Sequence, residues 1–153
     1  EYNSHYLNYP FVCVLIDKKH NIEDAYWISL IRTLSKVYEV FVFGNNTEKI
    51  ANLTFSNHVK SFKVWCSLLL NKNCQSVIST ASGGAYPVFV GHKKSKLIVL
   101  DNTDTLRLDG EPLFFGDCIN FNKTHVTIFR HVPSPNFINT WISAIPAVSI
   151  TKM

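Results

Sequence analysis

Apolar residues in this chain gather in short continuous runs separated by longer mixed stretches. The runs are FVCVLI at residues 11–16, EVFVF at 39–43, SVIST at 76–80 and KLIVL at 96–100. Such runs mark strands covered on both faces, the setting of a parallel sheet. Between the first two, Trp27, Leu30, Ile31, Leu34 and Tyr38 recur at helical spacing. Asn21 is a good N-cap for that helix, and Glu23 and Asp24 suit its positive first turn. The first third therefore predicts strand, helix and strand, a right-handed parallel pair.

Further along, residues 47–57 show no clear period and read as loop, and 58–62 as a short third strand. Residues 63–72 fit a helix with Val64, Leu68 and Leu69 on one side. Residues 124–132 predict a final strand, and 137–145 a last helix stopped at Pro146. Gly44-Asn45-Asn46, Asp109-Gly110 and Pro133-Ser134-Pro135-Asn136 are turn signals.

The central unit runs from Gln75 to Asp104. Its two apolar runs flank a small-residue loop, Ala81-Ser82-Gly83-Gly84, and a short helix or turn opened by Tyr86-Pro87. Their separation is too long for a hairpin and suits a parallel βαβ crossover. The expected fold is a single Rossmann-like α/β domain over residues 1–153: a mostly parallel sheet of five to six strands with helices on both faces. In such sheets ligands sit at the carboxyl ends of the strands. The Ala-Ser-Gly-Gly loop and the Asp101-Asn102-Thr103-Asp104 cluster both belong to that end.

Composition narrows the partners. A net charge of +4 without a basic stripe gives no footprint for nucleic acid. A weakly basic surface could retain anionic substrates or contact anionic lipid headgroups at a membrane surface, with ordinary solubility as the alternative. No apolar run is long enough for a transmembrane segment. Cys13, Cys66, Cys74 and Cys118 lack metal-binding spacing, and Cys13 sits inside an apolar run as a small hydrophobe. An α/β domain does not need disulfide staples, which favours a cytoplasmic chain with free thiols over a secreted or lumenal one with two disulfides. The start, Glu1-Tyr2-Asn3-Ser4, is neither a signal peptide nor an initiator Met, so the chain reads as a processed form or a piece of something longer.

Candidate chemistry collects at the strand exits. Ser82, Gly83 and Gly84 let a backbone approach an anion or a sugar nucleotide closely, or form only a tight turn. Asp101, Asp104, Arg107 and Asp109 could bind a sugar, hold a metal or supply a base, or be the usual turn residues after a strand. Asp101 is the best single candidate because it immediately follows its strand. Asp17 and His20 leave the first strand together; His20 has a suitable ordinary pKa for a base, and the alternative is a solvated loop. His5, His58, His92, His125 and His131 lack the spacing of a zinc helix, and no metal or cofactor is expected. His125 and His131 would share one strand face. No GxSxG elbow or catalytic cysteine context is present.

The order of strand, amphipathic helix and strand followed by SVISTASGGAYPVFVG and KLIVLDN resembles the N-terminal, acceptor-side half of GT-B glycosyltransferases. It is similar, too, to the small Alg14-type subunits of split glycosyltransferases. The resemblance covers residues 11–105. It implies a glycosyltransferase-like domain binding a glycan acceptor or a sugar nucleotide. Ser82, Gly83 and Gly84 would then form the loop at the crevice and Asp101 the polar strand end. Asp17-Lys18-Lys19-His20 stands where these families carry a glycine-rich loop. Because one such domain is only half of the catalytic assembly, a partner subunit or a further C-terminal domain is implied. The alternative from another class is a non-catalytic α/β protein-interaction module of a larger viral or surface protein.

Overall fold

The computed structural model describes residues 9–17, 22–80, 96–100, 126–129 and 131–151. Among the described residues ten elements follow in order: β1 (Phe11–Ile16), α1 (Asp24–Leu34), β2 (Glu39–Gly44), α2 (Glu48–Thr54), β3 (Asn57–His58), α3 (Phe62–Leu69), β4 (Cys74–Ser79), β5 (Lys96–Leu100), β6 (Val126–Phe129) and α4 (Pro135–Thr151). The six strands form one sheet in the order β3-β2-β1-β4-β5-β6. Every pairing is parallel. The expected α/β Rossmann-like architecture is therefore observed, with β4 and β5 paired in parallel as the central unit predicts.

Alternation along the strands divides the core between the two faces. Phe11, Cys13, Leu15, Phe41, Val77, Leu97 and Val99 meet Trp65, Leu68 and Leu69 of α3 on one side. Val12, Val14, Ile16, Val40, Val42, Ile78, Ile98 and Leu100 meet α1, α2 and α4 on the other, through Trp27, Leu30, Ile31, Leu34, Ile50, Ile138 and Ile142. β1 is buried at every position, which explains why it reads as an unbroken apolar run. Cys13 and Cys74 face each other in the core with their sulfurs 3.9 Å apart, well beyond the length of a disulfide bond. Burial pushes the Cys66 thiol up, so at neutral pH it stays protonated.

Several boundaries differ from the sequence pattern. α1 begins at Asp24 behind Glu23, whose side chain makes no capping bond; Asn21 lies outside the described residues. Tyr38 lies beyond the helix, after a turn in which its N–H donates to the Leu34 carbonyl at 2.8 Å. Residues 47–57, expected as loop, contain α2, which buries Ile50, Ala51 and Thr54. The buried Thr54 hydroxyl is satisfied within the helix, donating to the Ile50 carbonyl at 2.8 Å. The third strand is only Asn57–His58, and Phe62 instead opens α3, capped by the Ser61 hydroxyl accepting from the Val64 N–H at 3.4 Å. α3 turns Trp65 to the core with Leu68 and Leu69 and ends at Leu69. β6 is Val126–Phe129, and His131 lies beyond it rather than on the strand as expected; His125 lies outside the described residues. α4 starts earlier, with Pro135 in its first turn and the Ser134 hydroxyl accepting from the Phe137 N–H at 3.2 Å. It runs past Pro146 to Thr151, because a proline forfeits one backbone bond without forbidding the helix on either side.

One backbone feature is out of keeping with its residue. α2 closes on Phe55 in the left-handed conformation, φ 57, where glycine or asparagine is usual. The Phe55 ring is 96% exposed, so no packing offsets the cost of that conformation. Phe55→Gly is expected to raise the unfolding free energy by about 0.5–1 kcal/mol in denaturant melts. A loss of stability would show that the ring is held by contacts.

Candidate functional site

The strand order sets where a ligand can enter. From β1 the chain winds outward through β2 to β3, then returns to β4 on the other side of β1 and winds outward through β5 to β6. The order reverses direction between β1 and β4, and in a doubly wound sheet the carboxyl ends of the two strands at such a switch point are where a ligand would bind. β1 delivers Asp17 there, half-buried. β4 delivers Ser79 and Thr80, both fully buried. Leu15 pairs with Ser79, so Ile16 lies level with Thr80 and Asp17 one residue beyond, on the adjoining strand.

The two β4 hydroxyls differ. Ser79 donates to the Thr80 carbonyl at 2.7 Å. The Thr80 hydroxyl has no partner although it is 0% exposed. A buried hydroxyl without a bond is costly, and such an atom at a switch point calls for an explanation.

A second polar group lies at the neighbouring exits of β2 and β3. Gly44, the last residue of β2, has φ +141, a conformation that side chains rarely adopt. A Cβ there would collide with the Ile16 carbonyl oxygen, so glycine permits the close approach of β2 to the end of β1. Thr47 donates its hydroxyl proton to the Gly44 carbonyl at 3.1 Å and lies 3.2 Å from His58 Nε2. With its proton committed, the Thr47 oxygen accepts from Nε2–H. That assigns His58 the tautomer whose Nδ1 is an acceptor, and this buried nitrogen has no partner.

Among the sequence candidates, only Asp17 falls within the described residues, directly after the carboxyl end of β1. His20, Ser82, Gly83, Gly84, Asp101, Asp104 and Arg107 lie outside the described residues, as do the Tyr86-Pro87 and Asp109-Gly110 turns. Asp101 directly follows Leu100, the last residue of β5, in the chain. Thr80, Thr47 and His58 were not singled out for chemistry. For Thr80 the available signal was a polar residue closing an otherwise apolar run. Among the described residues no group of His, Cys, Asp or Glu side chains could hold a metal ion, and no helix is long and apolar enough to cross a membrane.

No protein-family model and no curated protein matches the sequence. In three dimensions the chain is similar to the crystal structure of the glycotransferase of kitacinnamycin, with a TM-score of 0.56 at 8% identity. The match takes in 92% of this chain and 37% of that one. At this identity the likeness is one of α/β fold alone, and the chain spans well under half of that protein's length.

Proposed function

We propose that this chain is one half of a glycosyltransferase-like assembly, binding a sugar nucleotide or a glycan acceptor at the carboxyl ends of β1 and β4. The observation that carries the reading is the buried, unpartnered Thr80 hydroxyl beside Asp17, where the strand order reverses direction. A sugar or phosphate oxygen would satisfy the hydroxyl, and the Asp17 carboxylate would accept from a sugar hydroxyl. Ser82, Gly83 and Gly84, with Asp104 and Arg107, are assigned to the anionic part of the ligand. Asp101 and His20 are the candidates for a base. The span of the structural likeness supports a requirement for a second domain or a partner subunit, as in split glycosyltransferases, before the chemistry can run.

The test is a thermal-shift series with UDP- and GDP-sugars, free nucleotides and simple glycans, run on the chain and on Thr80→Val. A ligand at a hundred times its Kd stabilises by about 2.7 kcal/mol, a rise of about 5–10 °C for a domain of this size. Thr80→Val keeps the shape and removes the orphan hydroxyl. It is expected to raise the melting temperature of the free protein by about 2–4 °C, the equivalent of about 1 kcal/mol, and to abolish the ligand shift. Absence of a shift with every ligand would overturn the reading in favour of a non-catalytic interaction module.

A further inference from the structure

Exposed large apolar residues are unevenly placed. Because the sheet is wholly parallel, the segments leading into the strands share one edge. Tyr9 precedes β1, Val37 precedes β2, Leu53 and Phe55 precede β3, and Leu70 precedes β4; all five are exposed. These four strands are consecutive neighbours in the sheet, so the residues form a row about 15 Å long across its amino-terminal edge. The other exposed large apolar residues among those described, Phe62 and Phe137, open α3 and α4 at the opposite end.

Charge along the same edge is one-sided. Arg32, Lys36 and Lys72 are exposed there, on the last turn of α1 and in the segments before β2 and β4. Among the described residues the edge carries one carboxylate, Glu39, which accepts from Asn57 Nδ2 at 3.1 Å. Asp17, Glu23, Asp24 and Glu48, the remaining described acids, lie at the carboxyl end. Arg32 also donates to the Leu53 carbonyl at 3.0 Å, tying α1 to the segment that carries Phe55.

We propose that this amino-terminal edge seats the protein on an anionic lipid surface, with Phe55 inserted among the headgroups. A protein partner fits less well. The apolar side chains stand singly on separate segments, interleaved with lysine and asparagine, whereas protein interfaces are depleted of lysine and have a contiguous apolar core. Separate apolar tips ringed by cations suit a headgroup layer, where the rings find hydrocarbon and the cations find phosphate or carboxylate. The left-handed backbone under an almost wholly exposed phenylalanine points the same way. That ring costs the free protein stability and contacts almost nothing in it. The crevice lies at the other end of the strands, so a docked chain would keep its ligand site facing the aqueous side.

Co-sedimentation with vesicles of phosphatidylcholine plus phosphatidylserine, against phosphatidylcholine alone, tests this directly. Binding is expected to the anionic vesicles and to fall as salt rises. Phe55→Asn, which suits the left-handed backbone and keeps the fold, is expected to weaken binding about tenfold. Lys36→Gln and Lys72→Gln should each weaken it about fivefold. The proposal is overturned if anionic vesicles carry down no more protein than neutral ones, or if Phe55→Asn binds as the parent does. Self-association that Phe55→Asn abolishes, with no vesicle binding, would overturn it in favour of a contact between copies.

Discussion

Trp65→Ala is expected to lower the unfolding free energy by about 4 kcal/mol, within the usual range for a large aromatic removed from a core. Trp65 is fully buried and stacks on Phe43 with ring centroids 5.1 Å apart and planes 19° from parallel. It belongs to the cluster that joins α3 to Phe11, Phe41, Val77 and Leu97 of the sheet. α3 has eight residues, too few to be stable alone, so it stays helical only while docked. Its hold on the sheet rests on Trp65, Leu68 and Leu69. Against a total of about 5–15 kcal/mol for a domain, the loss is large enough to leave the protein partly unfolded at physiological temperature. Trp65→Phe, which keeps most of the apolar volume, should recover more than half of it. Urea melts of the two variants decide the matter. A loss under about 1 kcal/mol for Trp65→Ala would mean that the helix is held by something other than this ring.

The strands of this sheet were legible because burial on both faces leaves no polar alternation to interpret. FVCVLI and KLIVL coincide with β1 and β5. α2 was not, since Asn52 and Thr54 disfavour a helix locally and its buried apolar face is only Ile50 and Ala51. A strand of two residues, Asn57–His58, has no period at all. The proposed site is only partly readable in the sequence, for a topological reason. Residue patterns identify strand exits, and Asp17 is at one, but they do not give lateral strand order. Reading along the chain therefore points first to the exits of β4 and β5, and the strand order adds that the exit of β1 lies next to that of β4. Thr80 was invisible as a functional candidate because its distinguishing property, a buried hydroxyl without a partner, exists only once the core has closed around it. Phe55 was likewise unremarked, since its conformation and exposure are properties of the fold rather than of its neighbours in the chain.

Gly44→Ala should be as damaging to stability as the loss of Trp65 and should also disable the crevice. At φ +141 an alanine is strained by about 1–3 kcal/mol before any contact is considered. Its Cβ would run into the Ile16 carbonyl oxygen, which is backbone in the central strand and cannot swing aside, and would press on Thr47 Cγ2 at 3.2 Å. The expected loss is about 4 kcal/mol, a fall of about 8–16 °C in Tm. Ile16 and Gly44 are the last pair of the β1–β2 ladder, so relief of the clash parts the two strands at the exit that carries Asp17. The same movement shifts the Gly44 carbonyl away from Thr47, and with it the bond to His58. Leu34→Ala separates the two effects, because Leu34 is a buried side chain at the other end of the strands and its truncation costs about 2–5 kcal/mol without touching the exits. At a temperature where both variants remain folded, Leu34→Ala should keep the nucleotide-sugar shift and Gly44→Ala should lose it. Equal retention by both would show that the end of β2 adjusts independently of the ligand site, and that Asp17 does not depend on the close approach of these two strands.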